Sequence, residues 1–89
     1  MLNHCFRDWH GPVDIERPAV GISIQMRASD NLRHLVVYRT TGQPWLCIEP
    51  ASHATGALSL ERMNSGKNGL RLLQPGECFH GWMELLITA

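Results

Sequence analysis

The residues best suited to chemistry lie together in Trp45-Leu46-Cys47-Ile48-Glu49-Pro50. A carboxylate closes a short apolar run, and a proline follows it at once. Proline disfavours helical geometry at the residue before it, so Glu49 is held extended. Alternation along a strand sets Trp45, Cys47 and Glu49 on one side, with Leu46 and Ile48 on the other. An acid beside an indole and a thiol needs a polar partner, a ligand or open water. Glu49 is therefore a candidate general acid or base. The plainer alternative is a strand-end acid that faces solvent or pairs with an arginine.

Other polar and aromatic residues carry weaker signals. His53 follows Glu49 by four residues and could hydrogen-bond a polar ligand or orient the carboxylate; a loop histidine can equally face solvent. His4 and His10 flank an aromatic segment, and histidine can act as an acid near neutral pH, although either could be filler. His80 reads as structural. A metal centre requires three or four convergent ligands, and the scattered histidines do not supply them, so neither a metal nor another cofactor is expected. Trp9, Trp45 and Trp82 could stack on the apolar face of a sugar ring or anchor an interface, with ordinary packing as the alternative. Ser65-Gly66-Lys67 lacks the glycine spacing of a phosphate-binding loop.

The elements that must position these groups read as strands. Leu35 to Tyr38 and Trp45 to Ile48 are two β-favouring runs, and Arg39 to Pro44 between them has the composition of a turn or short loop. Val20 to Arg27 alternates most regularly, with Val20, Ile22, Ile24 and Met26 facing one way, as in a half-buried antiparallel strand. Val13 to Glu16 alternates briefly and stops at Arg17-Pro18. Phe79 to Thr88 reads as a final strand, with Phe79, Gly81, Met83, Leu85 and Ile87 on one face. Leu70 to Leu73 is a candidate short strand. Met1 to Gly11 reads as the end of one element and a loop. Ser29-Asp30-Asn31 and Gln74-Pro75-Gly76-Glu77 are turns, the second with proline and glycine where a type II turn favours them. Ala57 to Met63 could form a turn or two of helix, and 64–69 is a loop. Five or six strands with little helix point to an all-β protein, a sandwich or part of one.

Composition bounds the rest. A chain of 89 residues makes one domain at most and buries only about 60–65% of its unfolded surface. Eight basic residues, seven of them scattered arginines, balance eight acidic ones. Without a net field, neither nucleic acid nor an anionic membrane is the expected partner. Cys5, Cys47 and Cys78 include no CxxC pair, so they read as reduced thiols, which points to the cytoplasm. The N-terminus has no basic region followed by an apolar run and no 18-residue apolar window occurs, so neither a signal peptide nor a membrane span is expected.

Four segments, in order, resemble one family. Cys47-Ile48-Glu49-Pro50-Ala51-Ser52-His53 resembles the Cys-Val-Glu-Pro-Val-Ser-His signature near the end of bacterial aldose 1-epimerases, the galactose mutarotase family. Leu70-Arg71-Leu72-Leu73-Gln74-Pro75-Gly76-Glu77 is similar to the Leu-Arg-Val-Leu-x-Pro-Gly-Glu turn before that family's last strand. Cys5-Phe6-Arg7-Asp8-Trp9-His10-Gly11 resembles its Cys-Phe-x-x-Trp-x-Gly segment, and Leu35-Val36-Val37-Tyr38 its strand before the signature.

The resemblance implies residues 1–89 as a single incomplete β-sandwich segment, the C-terminal part of an antiparallel supersandwich. It implies an isomerase that interconverts the α and β anomers of a free aldose, a small-molecule substrate. One residue takes the proton from the C1 hydroxyl and another donates to the ring oxygen, so the two must flank one hemiacetal. Glu49 matches the catalytic base. His53 matches the signature histidine in the site wall, and Trp45 alternates with Glu49 toward the sugar. Asn3 stands where the family has a sugar-binding aspartate, keeping a hydrogen-bonding group and losing the charge. Gly56-Ala57-Leu58-Ser59 replaces the family's Asp-Ala-x-Asn. The acid histidine and a second substrate-binding histidine belong to an upstream part with no match here. The expectation is thus a segment of a truncated or split epimerase, inactive alone, that needs a complementing N-terminal chain or self-association to cover its strand edges. A non-catalytic carbohydrate-binding or interaction module, or an inactive remnant, is the alternative.

Overall fold

The structure, a computed structural model, describes residues 2–56 and 69–89. Six strands form in chain order: β1 (Leu2–Phe6), β2 (Val13–Arg17), β3 (Ile22–Ala28), β4 (His34–Arg39), β5 (Cys47–Ala51) and β6 (Met83–Thr88). They make two three-stranded antiparallel sheets, β1-β4-β5 and β2-β3-β6. The protein is therefore all-β.

The second sheet follows from alternation. Ile15, Ile24 and Ile87 lie in one row across it, and Val13, Met26 and Leu85 in the next. Directly opposed residues share a face, so these two rows are apolar across all three strands, with Arg17 opposite Ile22 at the end of the same face. The other face carries Asp14, Glu16, Ser23, Gln25, Arg27 and Glu84. There Ser23 donates to Glu16, and Gln25 Nε2 donates to Asp14 Oδ1 at 3.3 Å.

In the first sheet, β4 is central. Asn3–Tyr38–Cys47 and Cys5–Val36–Glu49 are successive rows, and His34 pairs with Ala51. Phe6–Leu35–Pro50 and His4–Val37–Ile48 fall on the opposite face. The expected alternation of Cys47 and Glu49 against Ile48 is present in β5.

Several boundaries differ from the sequence expectation. Val20 lies outside β3, in a 3-10 turn over Pro18–Val20 that joins β2 to β3. Gly21, at φ +70°, closes the turn by donating to the Pro18 carbonyl at 3.2 Å. Trp45 and Leu46 precede β5 rather than opening it. The turn between β4 and β5 closes with Gln43 N donating to Thr40 O at 3.2 Å, and since Tyr38 opposes Cys47 and β4 ends at Arg39, Trp45 has only the turn residue Thr40 opposite it. Residues 79–82 do not join the last strand, because β3, its partner, ends at Ala28 opposite Met83. Their backbone bonds to the Ser29–Asn31 turn instead: Trp82 N donates to Ser29 Oγ, Ser29 N to Trp82 O, and Asn31 Nδ2 to His80 O. Leu70 to Leu73 is not a strand, and none of its residues enters a ladder. Leu2–Phe6, read as the end of an element and a loop, is a full edge strand. The turn at Gln74–Glu77 forms as expected, with Gly76 at φ +88° and Glu77 N donating to Gln74 O at 3.0 Å. The helical turn expected over Ala57 to Met63 falls outside the described residues.

Contacts between strands are concentrated within each sheet. The radius of gyration is 15.3 Å, against about 12 Å for a compact domain of this length, and the molecule measures 46 × 27 × 21 Å. Among described apolar residues only Met26, Leu35 and Ala54 are buried, while Met83, Leu85 and Ile87 of β6 stay half exposed or more. Among the described residues no helix is long and apolar enough to cross a membrane.

Candidate functional site

The chemistry gathers on one face of the first sheet. Register places Asn3, Cys5, His34, Val36, Tyr38, Cys47 and Glu49 on that face. Glu49 lies on the edge strand β5 with its side chain exposed. Asn3, one row along and two strands away, is also exposed. His53 follows the end of β5, is exposed, and has Nδ1 3.4 Å from Ser52 Oγ. Trp45 is 53% exposed and lies away from these groups, beside a separate concavity with Arg17, Arg39, Pro44 and Leu46. Three of the four expected site residues thus come to one face or its end, and Trp45 does not.

A concavity of about 680 Å³ opens where β4 begins. Asp8, Arg33, His34, Ser52, Arg71 and Phe79 form most of its wall. Glu49 is outside that lining. Its register position is two residues from Ala51, the partner of His34, which corresponds to roughly 7 Å along the strand.

His34 is the most enclosed member of the cleft. It is 3% exposed, and its Nδ1 is buried without a hydrogen-bond partner among the described residues. Leaving such a group unsatisfied costs about 1–3 kcal/mol. Burial lowers the imidazole pKa from its ordinary value of 6.5, because the charged form loses hydration; Arg7 and His53 act in the same direction, and Asp8 opposes them. His34 is therefore held toward the neutral state, with one ring nitrogen able to accept and the other to donate.

The chain returns to cover this residue at Gly69, which has φ +76°. A Cβ there would collide with the Ser52 carbonyl and come within 2.9 Å of His34 Nε2, so the position requires glycine. Beyond it, the Arg71 guanidinium lies over the Phe79 ring at 5.3 Å from its centroid, and reaches Glu77 at 4.0 Å. Asp8 enters the cleft from the other side with φ 53°, the only non-glycine residue at positive φ among those described. Aspartate tolerates that conformation better than most residues. Trp9 N donates to Arg33 O at 2.7 Å and fixes this corner.

Sequence reasoning did not single out His34, Asp8 or Arg71. A usable signal existed for His34, since it stands two residues before Val36 and so shares the Glu49 face once the hairpin register is assigned. Asp8 and Arg71 come from distant segments; both lie in resembling motifs, Asp8 at an unspecified position and Arg71 at a matched one, but neither motif shows that they meet at His34. The other histidines lie elsewhere. His4 packs on Phe6, ring centroids 4.3 Å apart, on the opposite face, and His10 lines a small concavity with Trp9. Among the described residues no group of three or more His, Cys, Asp or Glu side chains could hold a metal ion. No family model matches the chain, and no solved structure matches it.

Proposed function

We propose that this chain is the C-terminal part of an aldose 1-epimerase, with Glu49 as the base that takes the proton from the C1 hydroxyl of a free aldose. The observation carrying this reading is that strands from three of the four resembling segments, with Cys5, Val36 and Glu49, pair in one sheet as a single row, and that Asn3, two residues before Cys5, shares their face. An exposed carboxylate on an edge strand is accessible to a small substrate, and the extended backbone before Pro50 fixes its direction. In this reading Asn3 bonds a sugar hydroxyl and His53 contributes to the wall, while the proton donor to the ring oxygen comes from a complementing N-terminal part. The uncovered apolar face of β2-β3-β6 favours packing against further layers of a β-sandwich, supplied by that part or by self-association.

Polarimetry of glucose and galactose mutarotation tests it. The chain alone is expected to add nothing to the spontaneous rate. Co-expressed with an upstream segment that supplies the missing histidines, it is expected to catalyse, and Glu49→Gln to abolish the gain. Catalysis by the complemented pair that Glu49→Gln leaves intact would remove Glu49 from the role of base. A second reading, a carbohydrate-binding module without catalysis, is favoured by the cleft itself, where carboxylates, guanidinium groups and a phenyl ring meet. Saturable sugar binding with no catalysis by the complemented pair would select it.

A further inference from the structure

We infer that the outer edge of β6 is the contact surface for a second copy of this chain, the two β6 strands pairing antiparallel about a two-fold axis at Leu85. This edge is distinct from the apolar face assigned above to further layers of a sandwich, and the inference does not depend on the role of Glu49.

The edge itself is the first argument. β6 pairs with β3 on one side, and among the described residues no strand pairs with the other. All six of its residues are exposed, and Met83, Leu85, Leu86 and Ile87 are each half exposed or more. Edge strands resist further pairing through charge, proline or a bulge. β2 carries Asp14, Glu16 and Arg17, and β5 carries Glu49 and Pro50. β1 has no such charge but sets Asn3 and His4 among its apolar residues. β6 has no lysine or proline, its register against β3 runs unbroken, and Glu84 is its only charge.

Register is the second argument. A two-fold axis perpendicular to the sheet keeps each face on its own side, so only residues of like face can be opposed. With Leu85 opposite the partner's Leu85, Met83 meets the partner's Ile87 and Ile87 meets the partner's Met83. The seam then holds three pairs of large apolar residues on the apolar face, where a shift by two residues leaves two. On the other face Glu84 meets the partner's Leu86, so no like charges are opposed. The row Val13–Met26–Leu85 continues into the same row of the second copy.

Surface area is the third. The chain exposes 6801 Å², whereas a folded monomer of 10.0 kDa exposes about 5,200 Å². The excess, about 1,600 Å², is twice the roughly 800 Å² that one partner gives to a standard interface. The chain therefore has surface for a second copy as well as for a covering layer.

Sedimentation velocity of the full chain over a range of concentrations, with amide hydrogen exchange in the same samples, tests this. A reversible dimer is expected. Alternate amides of β6 face away from β3, and these are expected to be protected in the dimer and to lose protection on dilution, which stacking of two faces would not produce. Leu85→Lys and Leu85→Glu are each expected to weaken the dimer about tenfold or more, since like charges then stand opposite each other at the axis. Mixing the two variants is expected to restore it, and dispersed amide signals confirm that each is folded. Leu86→Lys, which faces the partner's Glu84, is expected to leave the dimer intact. A chain monomeric throughout would overturn the inference, as would a dimer indifferent to both Leu85 variants, one lost in Leu86→Lys, or one without the β6 protection. Displacement of the second copy by an upstream segment would overturn it too, and would give the edge to that segment. Mutarotation by a complemented but monomeric chain would sink this inference and leave the proposed function standing; a dimer of this kind without catalysis by the complemented pair would do the reverse.

Discussion

The two sheets have the same construction, three antiparallel strands each, and opposite uses of alternation. In β2-β3-β6 one face is apolar apart from Arg17 and the other polar apart from Leu86. In β1-β4-β5 the face carrying Glu49 mixes a carboxylate, an amide, two thiols, an imidazole and a phenol. Each of those groups weakens burial of that face, because each requires a partner or water. One sheet thus behaves as scaffold and the other as platform. What separates them is how far each sequence departs from strict alternation of apolar with polar.

The largest expected effect that bears on this contrast is on catalysis. Within the proposed function, Glu49→Gln in the complemented enzyme should slow mutarotation by about 10²–10⁴-fold, the usual contribution of a general base. Because Glu49 is exposed, the same change should alter stability by no more than about 0.5 kcal/mol. A matched pair of polarimetric and urea-unfolding measurements checks both. In the scaffold the balance reverses. Met26 is 5% exposed at the centre of β3, and Met26→Ala should cost about 2–5 kcal/mol, read as a lower urea midpoint.

Gly69→Ala comes next. It places a Cβ against the Ser52 carbonyl and the His34 ring at positive φ, and should cost about 1–3 kcal/mol, with the largest amide shifts near His34 and Ser52. A small cost would show that the cleft wall yields and would blur the contrast between platform and scaffold.

Acid should act on the platform through His34. Its folded pKa lies below the unfolded value of 6.5, so the folded state binds fewer protons in the window beneath 6.5. The stability His34 contributes is complete above 6.5 and is lost as pH falls through the folded pKa. Urea midpoints measured from pH 7.5 downward should decline more steeply in the native chain than in His34→Asn.

The smallest effect compares neighbours on β6. Leu85 lies on the apolar face and Leu86 on the polar one, yet both are at least half exposed. If the apolar face is where further structure packs, Leu85→Lys should reduce association in sedimentation velocity and Leu86→Lys should not. Equal behaviour would remove the scaffold face as a docking surface.

Much of this architecture was legible in the residues. Alternation placed Ile22, Ile24 and Met26 together, as well as Met83, Leu85 and Ile87, because period 2 needs no tertiary information. The turns at Ser29, Gly42 and Gly76 were marked by their own residue types. Strand ends were less legible. Residues 79–82 alternate well enough, but a strand can be no longer than its partner, and β3 stops at Ala28. Trp45 has strong β-propensity and still lies outside β5, because β4 ends at Arg39 and the residue it would oppose, Thr40, is already in the turn. At the site, Glu49 was visible through the proline after it. The cleft was not, because Asp8, His34, Ser52 and Arg71 are distant in sequence and meet only through the register of β4 and the return of the chain at Gly69.

That return has a mechanical consequence. From Gly69 the backbone runs past His34, forms the wall at Arg71 and Phe79, is tied to the Ser29–Asn31 corner, and then becomes β6. One continuous segment therefore serves as roof for the platform and outer strand for the scaffold. Fraying of β6 would slacken the covering over His34, and tension on the covering would pull at β6, so the two sheets are joined by a tether, with little face-to-face packing between them.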